Sequence, residues 1–569
     1  MAGEFQVLGQ NDKALFSLKL HRGEGMLLLG MNWKDGLPPL NFAGFTIDYK
    51  EPGKSEVYPL KNRIGFPDAL GNVRPETLTT LLSPIQKFRW VHFPKNPELP
   101  GEFSYRVRPA FMDDEGKLTY GEAQEASIEL ARETYPGQLN VTFTRGFVSS
   151  QAFVDRFSKA GRIDELIPRD IEKGLSFVPT HPQAKEALAW MGFEARHAIL
   201  EALDQAIADQ AHVSVVAYEL NQPDILTRLE AIGSRLRVII DDSDKHEPAT
   251  SAESQAAERL KASAGAHNVK RQHMGGLQHN KTIVVDGPTV KKVVCGSTNF
   301  SWRGFFIQSN NAVVLSGQPS VDRFSAAFNE YWQTDDVSVF GGTPSATWRD
   351  LGLTGIDAKV AFSPHSASSA LLASIAHDIE NGTESSLLYS LAFLYQTPGV
   401  VRDALSAVTN RDDTFVYGIS DKDVGGIDLR KPDGQVITVS PAMLSEHLPE
   451  PFHKEAAGGG GVRMHHKFVV IDFDKATARV YLGSYNFSEA ADTSNGENLL
   501  VIRDRRVTTS YAVEAISIFD HYHFRLAQKD AATAHKKLLL KRPPGPGEDP
   551  WFAEDYKDPV KIRDREIFS

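Results

Sequence analysis

Two stretches of this chain, 186 residues apart, carry the same pattern. His279-Asn280-Lys281 is followed after four residues by Asp286, and His465-His466-Lys467 by Asp472 at the same spacing. Ten and eleven residues later stand Gly296-Ser297-Thr298-Asn299-Phe300-Ser301 and Gly483-Ser484-Tyr485-Asn486-Phe487-Ser488. A lone His-x-Lys carries little information, but two copies with matched companions require a duplicated unit. Flanking patterns extend the repeat. Phe177-Val178-Pro179 and Phe362-Ser363-Pro364 each read as the end of an apolar strand, followed by helical stretches at 199–203 and 371–375 and then by strands at 213–218 and 386–391. Strands alternating with amphipathic helices predict an α/β layered fold.

Residues i and i+2 of a strand face the same way, so His279 and Lys281 share a face, as do His465 and Lys467. The next strand of each copy returns beside the first and brings Ser297 and Asn299, or Ser484 and Asn486, to the level of that pair. If the copies pack together, two imidazoles, two ammonium groups and two amides converge. Such a set suits a phosphate diester: cations and amides cradle the non-bridging oxygens, one imidazole attacks, and the other protonates the leaving oxygen. An unperturbed histidine titrates near pH ~6.5, so one ring can be neutral and the other charged at neutral pH. This chemistry calls for no metal and no cofactor.

On these motifs, residues 149–530 resemble a phospholipase D superfamily enzyme with both HKD motifs intact. The resemblance implies two pseudo-twofold-related α/β halves packed together, 149–340 and 355–530, joined by a linker near 341–354. It implies a double displacement through a phosphohistidine, with His279 as nucleophile and His465 as general acid. Lys281, Lys467, Asn299 and Asn486 would hold phosphoryl oxygens, supported by Ser297 and Ser484, while Asp286 and Asp472 would anchor their loops. Members of the superfamily usually carry an acidic residue after Gly-Ser-x-Asn that orients the opposite histidine. The second copy supplies Glu497, but the equivalent first-copy position, 187 residues earlier, is Asn310. Phe-Ser after each Gly-Ser-x-Asn resembles the Nuc-type endonucleases, and the Asp and Arg-Ser continuation of cardiolipin synthases is absent. Nucleic acid is therefore the favoured substrate. A phospholipase D acting on phospholipid is the alternative, and a non-catalytic binding scaffold is a second one.

Residues 1–148 show short alternating stretches, such as Phe103-Ser104-Tyr105-Arg106-Val107-Arg108, between turn clusters, which predicts an all-β sandwich. Trp33, the strand 42–49 and the segment around Tyr105, read as a tyrosine corner, resemble a fibronectin type III module. Residues 531–569, with Pro543-Pro544-Gly545-Pro546-Gly547, read as an extended C-terminal tail. A segment at 181–198 bearing Trp190, Met191 and Phe193 reads as a covering loop or short helix.

Other residues have plainer readings. His466 lies out of register with the motif and reads as pointing into the sheet. His521-Tyr522-His523 reads as helix packing and Cys295 as a small buried hydrophobe. Gly458-Gly459-Gly460-Gly461 reads as a mobile loop. Lys270, Arg271, Lys291, Lys292, Arg303 and Arg463 suggest a local basic groove. Trp302, Phe305 and Phe306 are core residues or stacking platforms. With 62 Lys+Arg against 73 Asp+Glu, the net charge of −11 excludes polyanion binding by bulk charge. One cysteine excludes an internal disulfide. The start lacks a leader pattern and no run reaches transmembrane length, so a cytoplasmic protein without integral membrane association is expected, although signal-less export would leave no trace, and because both half-sites lie in one chain a monomer is expected.

Overall fold

Strict alternation builds the first unit of the chain, residues 1–134 with 509–569. The computed structural model describes residues 3–130, 133–146, 157, 159–162, 165–168, 171–394, 398–422, 426–439 and 464–569. Along the strand Glu102–Met112, Phe103, Tyr105 and Val107 are buried, while Ser104, Arg106 and Arg108 are less so, as a period of two demands. That strand sits in a five-stranded sheet with Phe42–Lys50, Tyr58–Pro59, Leu118–Tyr120 and Gln124–Glu129. A four-stranded sheet runs Gln6–Leu8, Phe16–Arg22, Leu27–Trp33, Arg89–His92. Their shared core includes Phe16, Leu18, Trp33, Phe42, Phe45 and Tyr105.

Two readings of this unit need correction. The Tyr105 hydroxyl shares a 2.9 Å hydrogen bond with the His92 ring rather than with backbone, so it does not form a tyrosine corner. The residues after 530 are not an extended tail. The helix Arg505–Thr533 continues past that point, Glu554–Lys557 and Pro559–Ile567 are helical, and Phe552 belongs to the sandwich core. Aromatic side chains buried there outweigh the prolines and glycines that suggested a loose arm.

The second unit, residues 135–508, holds two sheets with corresponding strand orders. The first runs Leu139–Phe143, Asn311–Ser316, Lys291–Gly296, Lys281–Asp286, His212–Ala217, Leu236–Ile240, Val269–Arg271. The second repeats the first six as Asp357–Ser363, Glu497–Arg503, Arg479–Gly483, Lys467–Ile471, Ser386–Leu391, Phe415–Asp421, with Arg349–Asp350 added at one edge and the antiparallel strands Ile427–Arg430 and Val436–Val439 at the other, where the first sheet has a parallel strand instead. In each, a parallel strand pair is joined through a ten-residue helix, Pro223–Ile232 or Val400–Thr409. The central strands are continuous apolar runs, Ile283-Val284-Val285 and Phe468-Val469-Val470-Ile471, buried along their length as sheets covered on both faces require.

The boundaries shift accordingly. Residue 149 lies outside the described residues, and the first sheet already begins at Leu139. Phe177-Val178-Pro179 is not a strand. It is irregular chain with Val178 75% exposed, and the counterpart of Asp357–Ser363 is Leu139–Phe143. Trp190, Met191 and Phe193 lie in the long helix Ala184–Ala208, which is kinked at Phe193, and the stretch 341–354 contains the edge strand Arg349–Asp350.

Candidate active site

Both motif strands start at their lysine, so His279 and His465 stand just ahead of the sheet rather than within it. Reciprocal backbone bridges fix them there. Gln278 pairs with Gly496, and Met464 pairs with Ser309. The residue before each histidine is thus tied to the residue before the opposite copy's Glu497 or Asn310. His465 N–H also donates to the Ser309 carbonyl at 3.1 Å. Two carboxylates brace the same points from behind, Asp241 accepting from Gln278 N–H at 2.7 Å and Asp421 from Met464 N–H at 3.3 Å.

This seam brings the two rings 6.4 Å apart, centre to centre. His279 Nδ1–H donates to the Glu497 carboxylate at 2.8 and 2.9 Å. His465 Nδ1–H donates to Asn310 Oδ1 at 2.7 Å and to the Ser297 carbonyl at 3.2 Å. In both rings Nε2 has no hydrogen-bond partner among the described residues and keeps its lone pair. Each lysine ammonium bonds the carbonyl of its own histidine, Lys467 to His465 at 2.8 Å and Lys281 to His279.

The Gly-Ser-x-Asn residues divide their work. Ser297 Oγ accepts from Asn311 N–H and donates to Asn310 Oδ1, both at 3.0 Å. Ser484 Oγ accepts from the backbone and side chain of Asn498 at 3.0 and 3.1 Å. The serines therefore fix the strands that present Asn310 and Glu497. The side chains of Asn299 and Asn486 make no hydrogen bond among the described residues, and each Oδ1 is shielded from solvent. A buried amide left unpaired is costly unless a ligand meets it. Asp472 accepts N–H groups of Glu384, Ser385 and Ser386 at 2.8–3.2 Å, while Asp286 meets Lys291 across its hairpin.

All four basic groups are almost wholly buried. Burial pushes His279 down to about 4, with Lys281 and Lys467 acting the same way and Glu497 opposing them. His465 goes well below its ordinary value through burial, the two lysines and His279. Burial also lowers Lys281 to about 7, against the pull of Glu497, Glu219 and Asp241, and it lowers Lys467, which Lys281 further repels. A site whose cations cost this much to charge favours an arriving anion, which would restore their protons.

Several sequence readings belong elsewhere. Trp302, Phe305 and Phe306 are buried core residues, and the Trp302 indole donates to the Gly174 carbonyl at 3.0 Å, so they are not stacking platforms. Three of the residues expected to form a basic groove have partners of their own. Lys270 bonds the Trp332 carbonyl, Arg271 bonds the carbonyls of Asp241 and His246, and Lys291 pairs with Asp286. His466 is buried against Phe143 and Phe468, and His521 and His523 pack on ring neighbours. Cys295 is buried, which raises its thiol well above the ordinary value. Gly458–Gly461 and Arg463 lie outside the described residues. Among the described residues no group of three or more His, Cys, Asp or Glu side chains is placed to hold a metal ion, and no helix is long and apolar enough to cross a membrane.

Sequence reasoning missed Tyr218, Asp241, His246 and Asp421. Strand pairing puts Asp241 and Asp421 at one structural position, each following the partner of Ala217 or Leu391, but spacing does not show it, because the offset that aligns Lys281 with Lys467 carries Asp241 to Ile427.

The sequence matches the family described as "Cardiolipin synthase, PLD-like domain" over residues 199–332 and 441–519, which contain both motifs. No curated protein matches it. Among solved structures it is similar to phosphatidylserine synthase of Haemophilus influenzae Rd KW20, at 14% identity, 59% of this chain, 92% of that one and a TM-score of 0.40. It is also similar to polyphosphate kinase of Porphyromonas gingivalis, at 11% identity, 68% of this chain, 55% of that one and a TM-score of 0.36. A third is Nuc of Salmonella typhimurium, a phospholipase D family member, at 26% identity, 24% of this chain, 87% of that one and a TM-score of 0.20. With both motifs inside the matched stretches and their histidines brought ring to ring, the chain carries a phospholipase D-like domain of phosphodiesterase type.

Proposed function

We propose that the protein hydrolyses phosphodiester bonds of nucleic acid, DNA or RNA, through a phosphohistidine and without a metal. The observation that carries this reading is the pair of imidazoles 6.4 Å apart, each held at Nδ1 so that Nε2 is available. Ring centres this close put both imidazoles within reach of one phosphodiester group. His279 Nε2 attacks phosphorus, and the P–O bond to the leaving group breaks as His465 supplies the proton. Water, deprotonated by His465, then attacks the phosphohistidine and releases His279. Phosphorylation at Nε2 with Nδ1 still protonated puts a positive charge on the ring. Glu497 neutralises that charge and Asn310 cannot, which supports His279 as the nucleophile. Lys281, Lys467, Asn299 and Asn486 receive the non-bridging oxygens. Both half-sites lie in one chain, so one copy suffices for turnover.

Nucleic acid is proposed because Phe-Ser follows Gly-Ser-x-Asn in both copies, as in Nuc-type endonucleases. The second reading, a phospholipid substrate, is favoured by the matched family, whose description names cardiolipin synthase. The full chain, incubated in EDTA with single-stranded DNA, duplex DNA, RNA, bis-p-nitrophenyl phosphate and phosphatidylcholine vesicles, separates the two. We expect nucleic acid and the small diester to be cleaved, with His279→Ala and His465→Ala each losing on the order of 10⁴-fold or more. Turnover confined to vesicles reverses the substrate assignment, and silence on every substrate favours a binding scaffold.

A further inference from the structure

The two motif lysines sit in unequal surroundings. Lys281 Nζ lies 4.7 Å from the centre of the Tyr218 ring, and the same ring packs edge-on against His279 at 4.7 Å and 66°. His246 closes on Tyr218 at 4.7 Å and 68°, its Nδ1 bonded to Asp241 at 2.7 Å, and Lys245 reaches the ring at 5.9 Å. Tyr218 follows Ala217, the strand partner of Lys281. The corresponding partner of Lys467 is Leu391, and the residue after it is Ala392. Lys467 has no aromatic face beneath it among the described residues. The Tyr218 hydroxyl makes no hydrogen bond among the described residues either, so its ring contacts are what tie it to the site.

We propose that Tyr218 is a positioning residue, a cation clamp whose ring face keeps Lys281 charged and aimed beside His279 and so makes the first half the stronger phosphoryl-holding half. The proposal rests on the phosphodiesterase reading. A cation over an aromatic face is attracted by the ring quadrupole, most strongly where water is excluded. Lys281 needs that help because it is buried and because Lys467 and Lys245 repel it. Glu497, Glu219 and Asp241 are the acidic groups that face it, while neighbouring His279 stays neutral until far more acidic pH. Burial has already brought its ammonium down to about 7, so a modest change in attraction moves its charge across neutral pH.

The test varies the quadrupole without changing shape. Tyr218→Phe is the reference, and phenylalanines bearing one, two and three ring fluorines are then installed at the same position in the full chain. For bis-p-nitrophenyl phosphate, whose p-nitrophenolate departs without needing the proton of His465, kcat/KM should fall on the alkaline side as Lys281 loses its proton. We expect that limb to stay near its wild-type position in Tyr218→Phe. It should then move stepwise to lower pH with each fluorine, by about one unit in total, with kcat affected more than KM. A limb that does not move with fluorination overturns the clamp, and a loss of activity without a pH shift reduces Tyr218 to packing. If the wild-type protein turns over no diester, the phosphodiesterase reading fails, and inorganic phosphate binding still decides the clamp. Titrated by calorimetry at neutral pH in two buffers of different ionisation heat, the fluorinated chains should take up more protons on binding than the wild type, because Lys281 starts less charged. Equal uptake, or no pH-linked phosphate binding in the wild type, overturns the proposal.

Discussion

Asn310 and Glu497 hold equivalent positions and accept the same kind of bond, yet only one of them carries charge. Each takes the Nδ1–H of the opposite histidine, at 2.7 Å for Asn310 and 2.8 Å for Glu497. Orientation is therefore shared between the halves, while stabilisation of an imidazolium is not. We expect Glu497→Gln, which keeps the shape and removes the charge, to lower kcat by about 10²–10⁴-fold, as loss of a buried charged orienter does elsewhere. Asn310→Asp adds a carboxylate beside His465, where both lysines lie close. It should raise the pKa of His465 and shift the pH optimum upward while changing the maximal rate less. Quench-flow measurement of the phosphoenzyme checks both, and equal losses in the two variants would refute the asymmetry. This contrast was legible in the sequence because an offset of 187 residues aligns the copies through the Gly-Ser-x-Asn hairpin. The contribution of Tyr218 was not, because it depends on which ring lies under which ammonium, and spacing alone does not report that.

At the scale of the element, the glycine that opens Gly-Ser-x-Asn is what lets the hairpin deliver its residues. Gly296 and Gly483 have φ of +128° and +144°, and a Cβ would stand 2.7 Å from the Asn311 carbonyl oxygen and 2.2 Å from that of Asn498. A side chain there is strained and pushes on the strand whose first residues carry Asn310 or Glu497. Gly483→Ala should therefore displace Glu497 from His279 and cost about 10²-fold in kcat/KM, the penalty of a misplaced group, while circular dichroism still reports a folded chain. Gly296→Ala, acting on a neutral partner, should cost less, and a larger loss there than in Gly483→Ala would contradict this. The motif strands were readable because they are unbroken apolar runs, buried on both faces. The opening strand was not. Leu139–Phe143 follows directly on β-patterned sequence and looked like more of the sandwich, whereas Phe177-Val178-Pro179 only imitated its counterpart.

For the whole molecule, the two ends of the chain belong to one core, which composition near the C-terminus concealed. The Trp551 indole donates to the Phe42 carbonyl at 2.9 Å, and Phe552 is 2% exposed with its ring 6.0 Å from that of Phe42. Gly30 is bare because the chain end passes over it, where a Cβ would lie 1.9 Å from the Phe568 carbonyl oxygen. The final twenty residues thus act as part of the sandwich rather than as an appendage. Truncating a buried phenylalanine removes its transfer free energy and leaves a cavity, so Phe552→Ala should cost the first unit about 3–5 kcal/mol. Urea unfolding followed by tryptophan fluorescence should show that loss as a transition at lower denaturant with an unchanged slope. Turnover of bis-p-nitrophenyl phosphate without denaturant should stay at the wild-type level, since Phe552 belongs to neither half of the phosphodiesterase domain. An unshifted midpoint would mean that the C-terminal helices ride on the surface, and a proportionate loss of turnover would mean that the sandwich supports the catalytic unit directly.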